Sequence, residues 1–283
     1  MPLSFRKFCY QFKYNMKVSV IIPTYKPQDY IWECLDSLTK QTFHYSYYEI
    51  IIVLNGCCEP WKGELELYIR DNMSSLNVKL VQIDQGGVSN ARNVAIDIAE
   101  GKYVTFIDDD DYVSPRYLEG LYELASEDTI PLCYPYAFND AEPEKQLSNY
   151  KMTLQYSKVY CDTKLPYQKA RKFFSGPCMK LIPQSLIADR RFDVNFRNGE
   201  DSLFMFFISD EFKYVRFAHQ DVCYYRRIRE NSAYTSKRSV KTKFLNACSL
   251  IIAFSKIYYK RIRHYNFTFY LTRVLGACRS VLN

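Results

Sequence analysis

Along the first 110 residues, apolar runs of β-favouring residues alternate with segments of helical period, and this alternation constrains the fold more than any other feature. Residues 18–22 (VSVII) read as a buried strand stopped by Pro23. Over 29–41, Ile31, Cys34, Leu35 and Leu38 fall at helical spacing. A second strand at 49–54 (EIIIVL) is closed by Asn55-Gly56, and a weaker helix (62–72) and a third strand (78–83) follow. Ser89 is placed to cap a helix running to Ala99, and Gly101 ends it. The fourth strand is 103–107. Strands that are apolar throughout are buried on both faces, so the pattern predicts an α/β fold: a mostly parallel, Rossmann-like sheet flanked by helices. Such sheets bind ligands beyond the carboxyl ends of their strands. Asn55, Asp84 and Asp108 to Asp111 all fall there.

The last of these positions is unusual. FIDDDDYVSP (106–115) sets four carboxylates in a row directly after a strand, where they repel one another. Two readings are open at this point, a solvated acidic loop or a seat for a hard divalent cation such as Mg²⁺ or Mn²⁺. Neither GxGxxG nor GxxxxGK[ST] follows the first strand, which continues PTYKPQ, so no glycine-rich turn cradles the ligand. Far along the chain, NGEDSLFMFF (198–207) places Glu200 and Asp201 before an apolar helix. Asp201 is either the N-cap of that helix or a fixed carboxylate poised as a general base.

Taken together, SVIIPTY, EIIIVLNG, QGGVSNARNVAIDIAEGKYVTFIDDDD and NGEDSLF resemble, over about residues 16–235, the inverting family 2 glycosyltransferases of the GT-A fold, of the bacterial polysaccharide-biosynthesis type. The resemblance implies transfer of a sugar from a nucleotide diphosphate donor, usually a UDP-sugar, to a hydroxyl of a glycan or lipid-linked acceptor. It implies a divalent cation, Mn²⁺ or Mg²⁺, as cofactor. Asp108, Asp109 and Asp110 match the family's DXD motif, which makes Asp110 the metal ligand and sets Asp108 near the ribose and diphosphate. Asp201 takes the place of the catalytic base, with Glu200 on the acceptor side. Pro23, Thr24 and Tyr25 match the segment that packs on the nucleotide base. Arg92 is a candidate for the donor's phosphate or ribose, or a structural partner of the aspartates. Arg227 and Arg229, in YRRIRENS (225–232), match a late segment that closes over the diphosphate. Lys180 resembles a lysine near the acceptor, or is a surface charge. One departure stands out: where many members end the second strand with an aspartate that reads the base, this chain has Asn55, and Asp84 could supply the missing acid. Two rivals are a sugar-phosphate nucleotidyltransferase, which would need a glycine-rich basic signature absent here, and a non-catalytic sugar-nucleotide or membrane-binding module.

The chain's 283 residues carry a net charge of +7, and the excess is local. No acid follows Glu230, whereas ten of the 38 lysines and arginines do, interleaved with Phe244, Leu245, Cys248, Ile251, Ile252 and Phe254 at helical spacing. The reading is a catalytic domain over 1–235, with a basic aromatic extension at 1–15, and a basic amphipathic tail over 236–283. Such a tail suits an anionic membrane surface; a plain helical cap is the rival, and nucleic acid is not the expected partner. Residues 132–180 show no period and read as irregular structure. The ten cysteines lack metal-ligand spacing, and no signal peptide or spanning segment is evident, so the expected location is the cytoplasm, peripheral on the inner face of the cell membrane.

Overall fold

The structure is a computed structural model and describes residues 16–229 and 239–282. The central sheet runs in the order β10-β4-β1-β2-β3, built from β1 (Val18–Thr24), β2 (Tyr48–Asn55), β3 (Asn77–Ile83), β4 (Tyr103–Phe106) and β10 (Ile182–Pro183). The first four are mutually parallel, and β10 closes one edge antiparallel to β4. Helices α1 (Tyr30–Thr39), α2 (Trp61–Asn72) and α3 (Val88–Ile98) cross between successive strands. The continuous apolar strands follow from this layering. Ile21, Ile51 and Val53 point into one core with Ala91 and Ala95 of α3, while Val20, Ile22, Ile50 and Ile52 point into a second core with Ile31 and Leu35 of α1. Each such side chain, fully withdrawn from water, contributes about 1.5–3 kcal/mol.

Three local expectations are corrected. Pro23 does not stop β1, which pairs with β2 as far as Thr24. Its other neighbour, β4, is paired only as far as Ile21, so the missing N–H interrupts no ladder on that side. Ser89 is not the cap of α3; Gly87, with φ +131, occupies that position, and Ser89 lies buried in the first turn. Residues 132–180 are ordered. The chain forms β5 (Tyr112–Val113), α4 (Tyr117–Leu124) and β6 (Thr129–Leu132), then β7 (Tyr134–Asn139), β8 (Glu142–Gln146) and α5 (Lys151–Val159). Tyrosines and prolines hid the strand period in β7, whose Pro135, Ala137 and Phe138 are buried.

Two small sheets complete the body, β6-β11-β9 and β5-β12-β7-β8, with β9 (Leu165–Pro166), β11 (Tyr214–Phe217) and β12 (Cys223–Ile228). A short helix α6 (Glu200–Phe207) follows the NGED turn. The tail forms α7 (Val240–Lys260) and α8 (Phe267–Leu282), packed on each other and on α6. Ala247, Leu250, Phe254, Tyr258, Phe269 and Ala277 belong to the same buried cluster as Phe204 and Phe206 of α6. Gly199, which precedes α6 at φ +85, leaves no room for a side chain: a Cβ there would stand 2.5 Å from Leu250 Cδ1. Residues 1–15 and 230–238, which carry the basic extension and the join between body and tail, lie outside the described residues. No described helix is long and apolar enough to cross a membrane.

Candidate active site

The parallel strands deliver their carboxyl ends to one edge, and the sequence motifs meet there. Asp108 to Asp111 continue from β4, with Asp111 fully inside. Its carboxylate accepts from the Tyr224 hydroxyl (2.7 Å) and the Arg227 backbone N–H (2.8 Å), so β12 fixes the end of the run. The same Tyr224 hydroxyl accepts the Asp108 N–H at 3.2 Å. Asp109 receives the Thr24 hydroxyl at 2.5 Å, tying the run to the end of β1. Asp110 is paired with Arg229, whose Nε donates to Oδ2 at 2.8 Å and whose guanidinium lies 4.4 Å from the Tyr30 ring centre.

Arg92 joins the two distant motifs. From α3, its Nη2 lies 3.0 Å from Asp108 Oδ1 and its Nη1 2.6 Å from Asp201 Oδ1. A buried guanidinium offers paired donors to two carboxylates that would otherwise repel each other. The structural-partner reading of Arg92 is therefore realised in this state. Asp201 sits in the first turn of α6 rather than at its cap, which Gly199 occupies, so the N-cap reading is corrected. It makes no capping bond and is spent instead on Arg92.

Burial and like charge raise several of these carboxyls. Asp109 is pushed to about 7, first by desolvation, with the Thr24 hydrogen bond opposing. Desolvation also raises Asp110, followed by the charge of Asp108, and it raises Asp201 against the pull of Arg92. A carboxyl shifted upward binds a proton more readily, the direction a general base requires.

Lys180 is not a surface charge. It is 1% exposed, and its Nζ donates to the carbonyls of Gly176 (2.6 Å) and Cys178 (2.5 Å). Burial lowers its pKa to about 8, with Asp201 among the nearby charges opposing that shift. Lys180 thus braces the 176–178 loop beside Asp201, and Gly176 faces Asp201 Oδ2. Glu200 is also buried. Asn55 is buried and engaged on both sides of its amide: Nδ2 donates to Thr24 O at 2.6 Å, and Oδ1 accepts the Gly87 N–H at 2.8 Å. Its amide locks β1 to the start of α3 and leaves one lone pair and one N–H for anything else. Asp84 is exposed just past β3, accepting from Gln82 at 2.9 Å. Pro23 and Thr24 are buried, and Tyr25 stands out at 55% exposure.

Several residues of this edge escaped the sequence reading. Glu33 and Asp140 each accept from Arg227 at 2.5 Å, and Arg227 Nε donates to the Asp110 carbonyl at 3.0 Å. Only the fold brings these positions together; Tyr224 alone carried a signal, as an aromatic residue within a strand-like run.

A divalent cation fits the donor set. Among the described residues no three His, Cys, Asp or Glu side chains form a closed cage. Mg²⁺-type ions do not need one, since they are held by one or two carboxylates together with the phosphates of the substrate. Asp110, a hard oxygen donor whose charge is disfavoured by burial and by Asp108, is suited to such an open seat.

Comparisons with known proteins bear on the family and the fold. Staphylococcus aureus poly(ribitol-phosphate) beta-N-acetylglucosaminyltransferase TarS is 38% identical over 104 residues, 37% of this chain and 18% of that protein. The minor teichoic acid biosynthesis protein GgaB of Bacillus subtilis is 27% identical over 249 residues, 86% of this chain and 26% of its own length. The chain thus spans only about a fifth to a quarter of these relatives. The crystal structure of S. aureus TarS 1-349 in complex with UDP-GlcNAc matches with a TM-score of 0.63 at 24% identity, over 84% of this chain and 66% of that one. The mannosyltransferase PcManGT from Pyrobaculum calidifontis, in complex with GDP-Man and Mn²⁺, matches at 0.61 and 17% identity, over 99% and 77%. The fold is that of GT-A glycosyltransferases. The family model described as glycosyl transferase family 2 matches residues 19–191, and with more than half of its length matched the chain belongs to that family.

Proposed function

We propose that this chain transfers a sugar from a nucleotide diphosphate donor, a UDP-sugar, to a hydroxyl of a cell-surface glycan or lipid-linked acceptor, inverting the anomeric centre. The observation that carries the reading is the Arg92 bridge, which sets the aspartate run and Asp201 on either side of one guanidinium. TarS and GgaB, whose names refer to poly(ribitol-phosphate) and to teichoic acid biosynthesis, support the acceptor class, and the TarS complex with UDP-GlcNAc supports the uridine donor.

In this reading Tyr25, exposed after β1, stacks on the nucleotide base, with Pro23 and Thr24 shaping the floor and Asp84 the acid at the rim. Asp110 would hold a divalent cation, the chemistry of which would be to neutralise charge on the leaving diphosphate. Arg227 and Arg229 lie on the same side and can exchange a carboxylate for a phosphate oxygen. Asp201, its pKa raised by burial, accepts the proton of the attacking hydroxyl. Lys180 and Glu200 shape the acceptor side. One base suffices, because attack from the opposite face forms no glycosyl-enzyme bond.

Calorimetric titration of UDP with and without Mn²⁺, on wild type and Asp110→Asn, tests the donor site. Metal-dependent binding lost in the variant is expected; binding that ignores both metal and Asp110 would sink the reading. Turnover of UDP-GlcNAc, UDP-glucose and UDP-galactose then identifies the donor.

The tail contributes a second element. Its inner faces are covered by the body, whereas Val240, Phe244, Ile252 and Tyr259 of α7 and Phe267, Leu271 and Leu275 of α8 are exposed, with Lys241, Lys256 and Lys260 nearby in sequence. Exposed apolar side chains interleaved with lysines, in a segment that itself holds no acid, suit an anionic bilayer on the cytoplasmic side. Co-sedimentation with phosphatidylglycerol vesicles but not with phosphatidylcholine vesicles is the expected result; equal recovery with both would reject it.

A further inference from the structure

Behind the aspartate run, a cavity of about 450 Å³ opens between α1 and the β5-β12 edge, lined by Glu33, Asp36, Lys40, Ser114, Tyr112 and Tyr225 among others. None of Asp108, Asp109, Asp110, Arg92 or Asp201 lines it. The volume lies within the range of small-ligand sites.

Its chemistry is specific. Tyr112 and Tyr225 stack at 4.6 Å with their planes 16° apart, and the Tyr136 ring lies 5.1 Å from Tyr225. All three tyrosines are half-buried; Tyr112 and Tyr225 line the cavity as an aromatic pair with a wet border, and Tyr136 backs Tyr225 from outside it. Opposite stand two carboxylates already fixed in place, Glu33 by Arg227 and Asp36 by the Tyr68 hydroxyl. Each carboxylate retains lone pairs to accept further hydroxyls, and Lys40, which is exposed, brings N–H donors.

We propose that this cavity is an accessory site for a neutral saccharide. A pyranose ring offers a flat C–H face to an aromatic surface and a rim of hydroxyls that both donate and accept. Tyrosines flanked by positioned carboxylates and one lysine complement both features. A polyanion and a simple cation are both disfavoured, because Arg227 and Lys40 balance Glu33 and Asp36 and leave the cavity without a charge excess of either sign. The site rests on the glycosyl-transfer reading only for its ligand class: it would hold a segment of the acceptor glycan away from the reacting hydroxyl. Arg227 touches both Glu33 on the cavity wall and the Asp110 carbonyl, so the two sites share one side chain.

The test is calorimetry of the whole protein with maltotetraose, cellotetraose and chitotetraose, each with and without saturating UDP. Saturable binding of at least one, retained in saturating UDP, is expected. Tyr112→Leu, which keeps the bulk but not the planar ring, and Asp36→Ala should each weaken it at least tenfold while leaving UDP binding unchanged. Should Tyr112→Leu fail to fold, Asp36→Ala on the surface of α1 carries the same test. The proposal is overturned if none of the three binds to protein that still binds UDP, if UDP displaces the saccharide, or if both variants bind it as wild type does. Saccharide binding without UDP binding would uphold this site and reject the uridine donor instead.

Discussion

Arg92 Nη1 lies 2.6 Å from Asp201 Oδ1, although 109 positions separate the two residues in the chain. The same guanidinium holds Asp108, so one buried cation fixes the spacing between the aspartate run and Asp201. Arg92→Met should leave these acids facing each other without compensation. Both acids are partly solvated, so the expected loss of stability is about 2–3 kcal/mol, the lower end for a broken buried pair. Urea unfolding measures it, and a midpoint within error of wild type would contradict the bridging role.

Asp201→Asn keeps the shape and can still meet Arg92 through its amide oxygen, but it cannot accept a proton. Transfer should fall by about 10²–10⁴-fold with UDP affinity retained. Initial rates and UDP titration, run on the same preparation, separate this outcome from a loss of donor binding.

Asp109 and Asp110 are both raised by burial, so a bound cation relieves charge the protein holds at a cost. Mn²⁺ together with UDP should therefore raise the melting temperature at pH 7.5, and chelation should reverse the rise. At a hundredfold excess over the dissociation constant the stabilisation is about 2.7 kcal/mol. In Asp110→Asn the metal-dependent part should vanish.

Lys180 gives a pH signature. Burial lowers its pKa from 10.5 to about 8 in the folded protein. Between those values the unfolded chain keeps a proton that the folded chain has shed, so this group's contribution to stability rises with pH across that window. Over the full interval it amounts to about 3 kcal/mol. Urea midpoints at pH 8, 9 and 10 should climb more steeply for wild type than for Lys180→Met. Parallel slopes would mean the lysine is solvated.

The strands of the central sheet were legible because both faces of each are buried, which writes an unbroken apolar run such as EIIIVL into the chain. The aspartate run and the NGED turn were legible as strings. What linked them was not: Arg92 reads as one arginine on a helix until the fold carries α3 beside the strand ends. Lys180 and Asn55 show the same limit. A lysine looks like a surface charge until two carbonyls are found beside it, and an asparagine at a strand end does not reveal that its amide holds the Thr24 carbonyl and the Gly87 N–H. In residues 132–180, tyrosines at alternating positions concealed β7, because a half-polar aromatic fits either face of a pleat.

Leu250 fills the space above Gly199 where a side chain would sit, and Asn246 on the next turn of α7 donates to the Asn198 carbonyl at 3.3 Å. On α8, Arg273 donates to the carbonyls of Arg171 (3.1 Å) and Phe174 (2.8 Å), just ahead of the loop that Lys180 braces. The tail is therefore part of the packing that holds the 198–201 turn rather than an appendage hung from the body. A displacement of α7 would be felt at Gly199, two residues from Asp201, so that if Asp201 is the proton acceptor, anything that shifts the tail also shifts the base.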